Sequence, residues 1–298
     1  TPEQDALALI RLKLEDLASV HACTVLPRGA ELVVVGPTRG EEVTGWARSA
    51  FGGWKAAPPA SAECERWRAG RPSLAAEPKR LERTQLAITY LQEPDPRVSI
   101  LLPAPSVRSE DYIPYVVLAR AIFWRALTQD DTLRHSGATY TISTQINDGF
   151  SNFSLLELRG LLEQSVVRES LRRLVEDSWA LPESLTEADL DTAKRMIRTE
   201  LLSDLAYNAR FADRVVWLLR QGQDPSQVAS WLDAIGQLDL ERARDVARRW
   251  LKDTRPSIVM RAAPQKITAG LGLDVQLREL VFTRDPQAHR KAGAAGDG

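Results

Sequence analysis

The stretch Leu238–Ala263, LDLERARDVARRWLKDTRPSIVMRAA, has a counterpart near the N-terminus. Its pattern predicts an amphipathic helix that is capped by Asp239, then a polar turn, then an apolar strand at residues 257–260. Glu15–Leu26 has the same helical pattern, and a Pro-Arg-Gly turn and the apolar run Leu32–Val35 follow it. The two copies therefore share the order helix, turn, strand.

The separation of the two copies sets the predicted domain organisation. Their alignment matches identical residues in three pairs: Leu26 with Leu251, Ala18 with Ala243, and Ala22 with Ala247. The offset is too long for a solenoid period and is about the size of one large domain. The chain is therefore interpreted as the end of a first repeat (residues 1–57), a linker (58–82), a complete second repeat (83–265) and an extension with a disordered tail (266–298).

The composition is that of an ordinary globular protein and excludes some classes of function. The 298 residues carry a formal net charge of −1, and no basic run with interleaved aromatics occurs, so nucleic acid is not expected as a partner. No apolar run approaches the ~20 residues that a transmembrane helix needs. Cys23 and Cys64 are too few for a metal knuckle or a disulfide framework, and we interpret them as two unpaired thiols.

Strands dominate the start of the second repeat, and helices follow from residue 161. Capping boxes are predicted at Thr38–Glu41, before a helix of the first copy, and at Thr186–Asp189. The predicted strands are residues 85–91, 97–102, 140–146, 153–158, 257–260 and 276–283, the first two joined by a turn and the next two forming a hairpin. This order predicts an α+β fold in which an antiparallel sheet is packed on one side by helices.

Four passages of the sequence are similar to those of a known family: the apolar strand and helix at residues 32–54, the strand and loop at 97–112, the Gly-x-x-Tyr of Gly137–Tyr140, and the helix start Leu185–Lys194. In this order they resemble the insulinase–pitrilysin family of zinc peptidases. The resemblance spans roughly residues 15–264 and implies a metalloprotease-like repeat of the LuxS and processing-peptidase type. None of these passages is catalytic.

The zinc motif of that family is missing from this sequence. In active members, His-x-x-Glu-His supplies two metal ligands and a glutamate that activates the bound water. The three histidines here, His21, His135 and His289, lie far apart, so no two share one helix face. We therefore predict no catalytic residue and no metal ligand. Zinc is expected only in a missing repeat or a partner subunit.

The family's helper repeat carries the pattern Arg-x-x-x-Gly-x-x-Tyr. Its guanidinium and phenol hydrogen-bond the backbone of a bound peptide. Tyr140 matches the pattern, but the arginine position is Leu133, and Arg134 is one residue away. The resemblance thus implies Arg134 and Tyr140 as candidate substrate-binding residues. The alternative is a surface arginine and a tyrosine packed in a strand.

Two functions remain open at the level of the sequence. One is a non-catalytic repeat or subunit of a zinc metalloendopeptidase, inactive alone, which forms half of a peptide-enclosing chamber with another family repeat in a homo- or heterodimer. The other is a catalytically inactive scaffold or peptide-binding protein of the same fold. The compartment is open too: the bacterial periplasm or cell envelope is expected first, and the cytoplasm is the alternative.

Overall fold

The computed structural model describes residues 9–27, 30–55, 64, 81–90, 95–128, 139–147, 154–163, 165–262 and 275–280. The chain divides into two compact units. The first comprises Thr1–Leu74 and Glu200–Gln227, and the second comprises Ala75–Thr199 and Val228–Gly298. The repeat boundaries inferred above rest on internal similarity rather than on compactness, and they stay a prediction.

The described elements, in chain order, are α1 Leu14–Thr24, α2 Gly40–Phe51, β1 Thr84–Tyr90, β2 Arg97–Ala104, α3 Tyr112–Thr128, β3 Thr139–Asn147, β4 Ser154–Leu162, α4 Val167–Ser184, α5 Glu187–Ala206, α6 Asn208–Arg220, α7 Gln227–Gln237, α8 Leu240–Trp250, β5 Ser257–Ala262 and β6 Val275–Leu280. None of the described helices combines the length and apolar composition that crossing a bilayer requires.

The second unit contains a six-stranded sheet with the order β3-β4-β2-β5-β1-β6. The pairs β3–β4, β4–β2 and β2–β5 are antiparallel, whereas β1 pairs in parallel with both β5 and β6. The predicted antiparallel sheet is therefore correct for four strands but not for β1 and β6. Parallel pairing needs a long crossover connection, and the chain between β1 and β5 supplies one.

Helices cover one face of this sheet, which confirms the predicted α+β class. Along β2, Val98, Ile100 and Leu102 are buried, and the residues between them are not. Tyr115 of α3 is fully buried on the covered side, and its hydroxyl donates a hydrogen bond to the Pro103 carbonyl at 3.0 Å. Burial raises the pKa of Tyr115 far above its ordinary value, so the phenol stays neutral.

A buried carboxylate joins α3 to α8. Asp111, directly before α3, accepts hydrogen bonds from Arg242 Nη2 and Arg249 Nη2, each at 2.9 Å, and from Trp250 Nε1 at 3.0 Å. The Trp250 ring also packs edge-on against Tyr115, with ring centroids 6.2 Å apart. The predicted cap of α8 is confirmed, because Asp239 accepts from the Arg242 backbone N–H at 2.7 Å.

Two sequence predictions for the first unit are wrong in detail. Leu32–Val35 forms no strand; a strand needs a neighbour for its backbone groups, and none of the described residues pairs with this segment. The capping box is shifted by one residue, because α2 begins at Gly40 and the Arg39 backbone N–H donates to Glu42 at 3.4 Å.

The box at Thr186–Asp189 is confirmed, with reciprocal backbone-to-side-chain bonds of 3.2 Å.

The interpretation of the two cysteines as unpaired thiols is also wrong. Cys23 of α1 and Cys64 form a disulfide, with Cα atoms 5.2 Å apart and a sequence separation of 41 residues. The Cα separation is usual for a disulfide. Two cysteines in a long chain carry no sequence signal for pairing, because only the fold decides whether they meet.

Candidate functional site

Of the two predicted substrate-binding residues, the structure describes Tyr140 but not Arg134. Arg134 lies outside the described residues, so its pairing with Tyr140 stays a prediction. Tyr140 lies in β3, an edge strand of the sheet. Thr139 is opposite Leu162 and Thr141 is opposite Leu161, so Tyr140 is the extra residue of a β-bulge. Bulges are frequent at sheet edges and next to active sites.

The histidines give no site within the described residues. His21 is exposed on α1, and His135 and His289 lie outside the described residues. In the part of the chain that the structure describes, no three His, Cys, Asp or Glu side chains come together as a metal site requires.

The uncovered face of the sheet contains a concavity of about 330 Å³. It lies at the end of the sheet where β2 and β3 begin and where β4 and β5 end. None of the described residues that line it is acidic. The lining residues are Arg97, Val98, Ser99, Thr141, Arg159, Gly160, Leu161, Val259 and Arg261. We call this site the arginine concavity. Its Thr141 is the chain neighbour of Tyr140.

Strand register brings the three arginines of this concavity together. Arg97 of β2 lies directly opposite Arg261 of β5. Ser99, two residues along β2 on the same face, lies opposite Arg159 of β4. Directly opposite residues have Cβ atoms about 4.5–5.5 Å apart, and diagonal neighbours are about 7–8 Å apart. The backbone therefore fixes the spacing of the Cβ atoms from which the three guanidinium groups extend.

One carboxylate, Glu157 of β4, is held at the border of this cluster. Arg159 Nη2 donates to it at 3.0 Å, and Asn147 Nδ2 donates at 3.0 Å. Burial alone would raise the pKa of Glu157, but hydrogen bonds from Ser99, Asn147 and Arg159 and the charge of Arg159 outweigh it, and the pKa is lowered. Glu157 is thus ionised at neutral pH and orients Arg159.

This arrangement can recognise anionic groups. Guanidinium groups bind carboxylates through paired N–H donors in a planar fork. The hydroxyl of Thr141 can donate a further hydrogen bond, while Leu161 and Val259 supply apolar contacts. This site was not predicted from the sequence. The available signal was an arginine at a non-core position of three strands, but their adjacency depends on strand order.

One family model matches more than half of the chain. Residues 11–197 match the family model described as the peptidase M16 inactive domain. No curated protein sequence matches the chain. The fold is similar to a protease from Helicobacter pylori, with a TM-score of 0.65 and 16% identity over 84% of this chain and 59% of that one.

Two further solved structures have the same fold. The peptidase M16 inactive domain from Pseudomonas fluorescens has a TM-score of 0.63 and 13% identity, over 85% of this chain and 58% of that one. The periplasmic protease PqqL from Escherichia coli has a TM-score of 0.55 and 15% identity, over 77% of this chain and 25% of that one. The chain therefore spans less than two thirds of each of these structures.

Proposed function

The chain belongs to the peptidase M16 inactive-domain family, and from this membership we propose that it is a non-catalytic repeat or subunit of a zinc metalloendopeptidase. In this role it forms half of a chamber that encloses a peptide, and another repeat or subunit holds the zinc. The observation that carries the proposal is the arginine concavity. Like charges on neighbouring strands destabilise a sheet, so such a cluster favours a binding role over a purely structural one.

Exposed apolar side chains of the first unit support pairing with another repeat. Leu14 is 82% exposed and Trp46 is 57% exposed, and Ile10, Leu32 and Phe51 are exposed as well. Large exposed apolar patches mark interaction surfaces. In our proposal a second family repeat, in the same polypeptide or in a partner subunit, packs against these side chains.

The disulfide supports an oxidising compartment. Bonds such as Cys23–Cys64 persist in secreted and periplasmic proteins and are rare in the reducing cytosol. We therefore place the protein in the bacterial periplasm or cell envelope, in preference to the cytoplasm. Trapping free thiols with a maleimide reagent in intact cells tests this placement: a protein without reactive thiols supports it, and two modified cysteines contradict it.

Purification of the protein from its source tests the peptidase role. Intact mass, zinc content and cleavage of a quenched fluorescent peptide are measured on one sample. We expect a longer chain or a co-purifying subunit, with about one zinc per active unit and peptide cleavage. A native species with the mass of the 298-residue chain alone, without zinc, cleavage or peptide binding, would instead establish the structural alternative.

A further inference from the structure

We propose that the arginine concavity selects acidic peptide segments, which bind in extended conformation with carboxylates at alternate positions. The inference rests on the proposed function and names the class of substrate that this surface takes. Three features of the site support this selectivity: its guanidinium groups, the spacing of the arginines and their apolar surroundings.

Three guanidinium groups converge on the site. Arg97, Arg159 and Arg261 line the concavity, and Glu157 at its border is bonded to Arg159. Each guanidinium group carries five N–H donors, which is more than one carboxylate partner uses. A peptide carboxylate can therefore add to the contacts that these arginines already make.

The spacing of the arginines matches an extended peptide. Side chains two residues apart in an extended chain lie on one face, about 6.6–6.8 Å apart. Arg97 and Arg159 are diagonal neighbours in the β2–β4 pair, which separates their Cβ atoms by about 7–8 Å. Two carboxylates at alternate peptide positions can therefore each meet a guanidinium group, and Arg261 can share the first one with Arg97.

The apolar residues of the concavity strengthen these contacts. Leu161 lies opposite Arg97, and Val259 lies opposite Ser99. A bound peptide would cover these apolar side chains and displace water around the guanidinium groups, so charge-assisted hydrogen bonds would gain strength. A nucleic acid would need a longer basic stripe than this, and the near-neutral chain offers little long-range attraction to a polyanion. A peptide is therefore the favoured ligand.

Fluorescence anisotropy of two matched peptides with the full chain tests the inference. One labelled peptide carries glutamate at alternate positions, and the other carries glutamine at the same positions. We expect the glutamate peptide to bind at least about tenfold more tightly, because charge-assisted hydrogen bonds are stronger than neutral ones. The preference should fall as salt is added.

Two variants separate the arginines from general charge effects. The double substitution Arg97→Gln and Arg261→Gln should abolish the preference for glutamate. The matched control is the double substitution Arg173→Gln and Arg248→Gln, which removes two positive charges that are paired on helix surfaces outside the concavity and should leave the preference intact. Circular dichroism melting curves confirm that both variants are folded.

The outcomes distinguish this inference from the proposed function. Equal affinity for the two peptides, or a preference that survives the double substitution, would overturn acidic selectivity while peptide binding itself stands. Failure of both peptides to bind would remove peptide binding as well. Displacement of the glutamate peptide by an equal concentration of inorganic phosphate would make the concavity a general anion site and would also overturn the inference.

Discussion

The carboxylate of Asp111 connects the start of α3 to α8 through three hydrogen bonds. It is buried, and its three donors, Arg242, Arg249 and Trp250, all lie on α8. The substitution Asp111→Ala leaves these donors without their acceptor. We expect it to lower the free energy of unfolding by about 2–4 kcal/mol, measured by urea denaturation.

The control for Asp111 is an exposed carboxylate of the same helix pair. Asp245→Ala breaks the exposed ion pair with Arg248 at 2.7 Å, and surface pairs of this kind contribute about 0–1 kcal/mol. An Asp111→Ala variant as stable as Asp245→Ala would show that the buried network contributes nothing to the joining of the helices.

Glu157 should make stability depend on acid pH. Its pKa is lower in the folded protein than its ordinary value, so its contribution is complete at neutral pH and is lost as the pH falls through the folded-state pKa. Glu157→Gln removes this contribution. The difference in unfolding free energy between wild type and variant, about 1 kcal/mol at pH 7, should shrink on acidification. A difference that is constant with pH would contradict this.

At the residue scale the sequence predicts less of the site than of the fold. Alternation along β2 predicts that Arg97 and Ser99 share a face. It does not predict which residues of other strands lie beside them, because this depends on the pairing of segments distant in the chain. The cluster with Arg159 and Arg261 therefore emerges only once the strand order is known.

Among the elements of the first unit, α1 is joined to a distant part of the chain by the disulfide. Cys23 lies in α1, and Cys64 lies 41 residues away. In the chain-entropy model, a disulfide that closes a loop of this length stabilises the folded state by about 4 kcal/mol. The substitution Cys23→Ser should therefore lower the stability of the first unit by up to this amount, measured by guanidinium denaturation followed through tryptophan fluorescence.

A reductant supplies the matched comparison for this prediction. Dithiothreitol should destabilise the wild type about as much as the substitution does, and it should leave the Cys23→Ser variant unchanged. A wild type whose transition is insensitive to dithiothreitol would contradict a stabilising role for the bond.

Most helices and strands could be predicted from signals between neighbouring residues, and the errors arise where a segment depends on residues distant in the chain. The capping box at Thr186–Asp189 is correct because it involves neighbours in sequence. The helix motif ending in Lys194 also has a structural reason, because its ammonium group bonds the carbonyls of Gly236 and Leu238. By contrast, Leu32–Val35 has a strand-like composition but no partner strand among the described residues, so propensity alone is not enough.

At the scale of the whole molecule, the two units differ in how much apolar surface they bury. In the first unit the buried apolar side chains among the described residues are Cys23, Leu201 and Leu218, whereas the sheet and helices of the second unit share a large core. Amides of α1 and α2 should therefore exchange hydrogen faster than those of α3 and α4. Mass-spectrometric hydrogen exchange measures this, and equal protection of the two sets would contradict it.

The position of β5 has a consequence for biosynthesis. Ser257–Ala262 is made long after β1 and β2, yet it lies between them in the sheet. Until β5 and β6 have been made, the nascent chain therefore carries unpaired strand edges on β1 and β2, and such edges are surfaces on which chains aggregate. Folding of the sheet can finish only after β5 and β6 have left the ribosome, so until then these edges are open to holding chaperones.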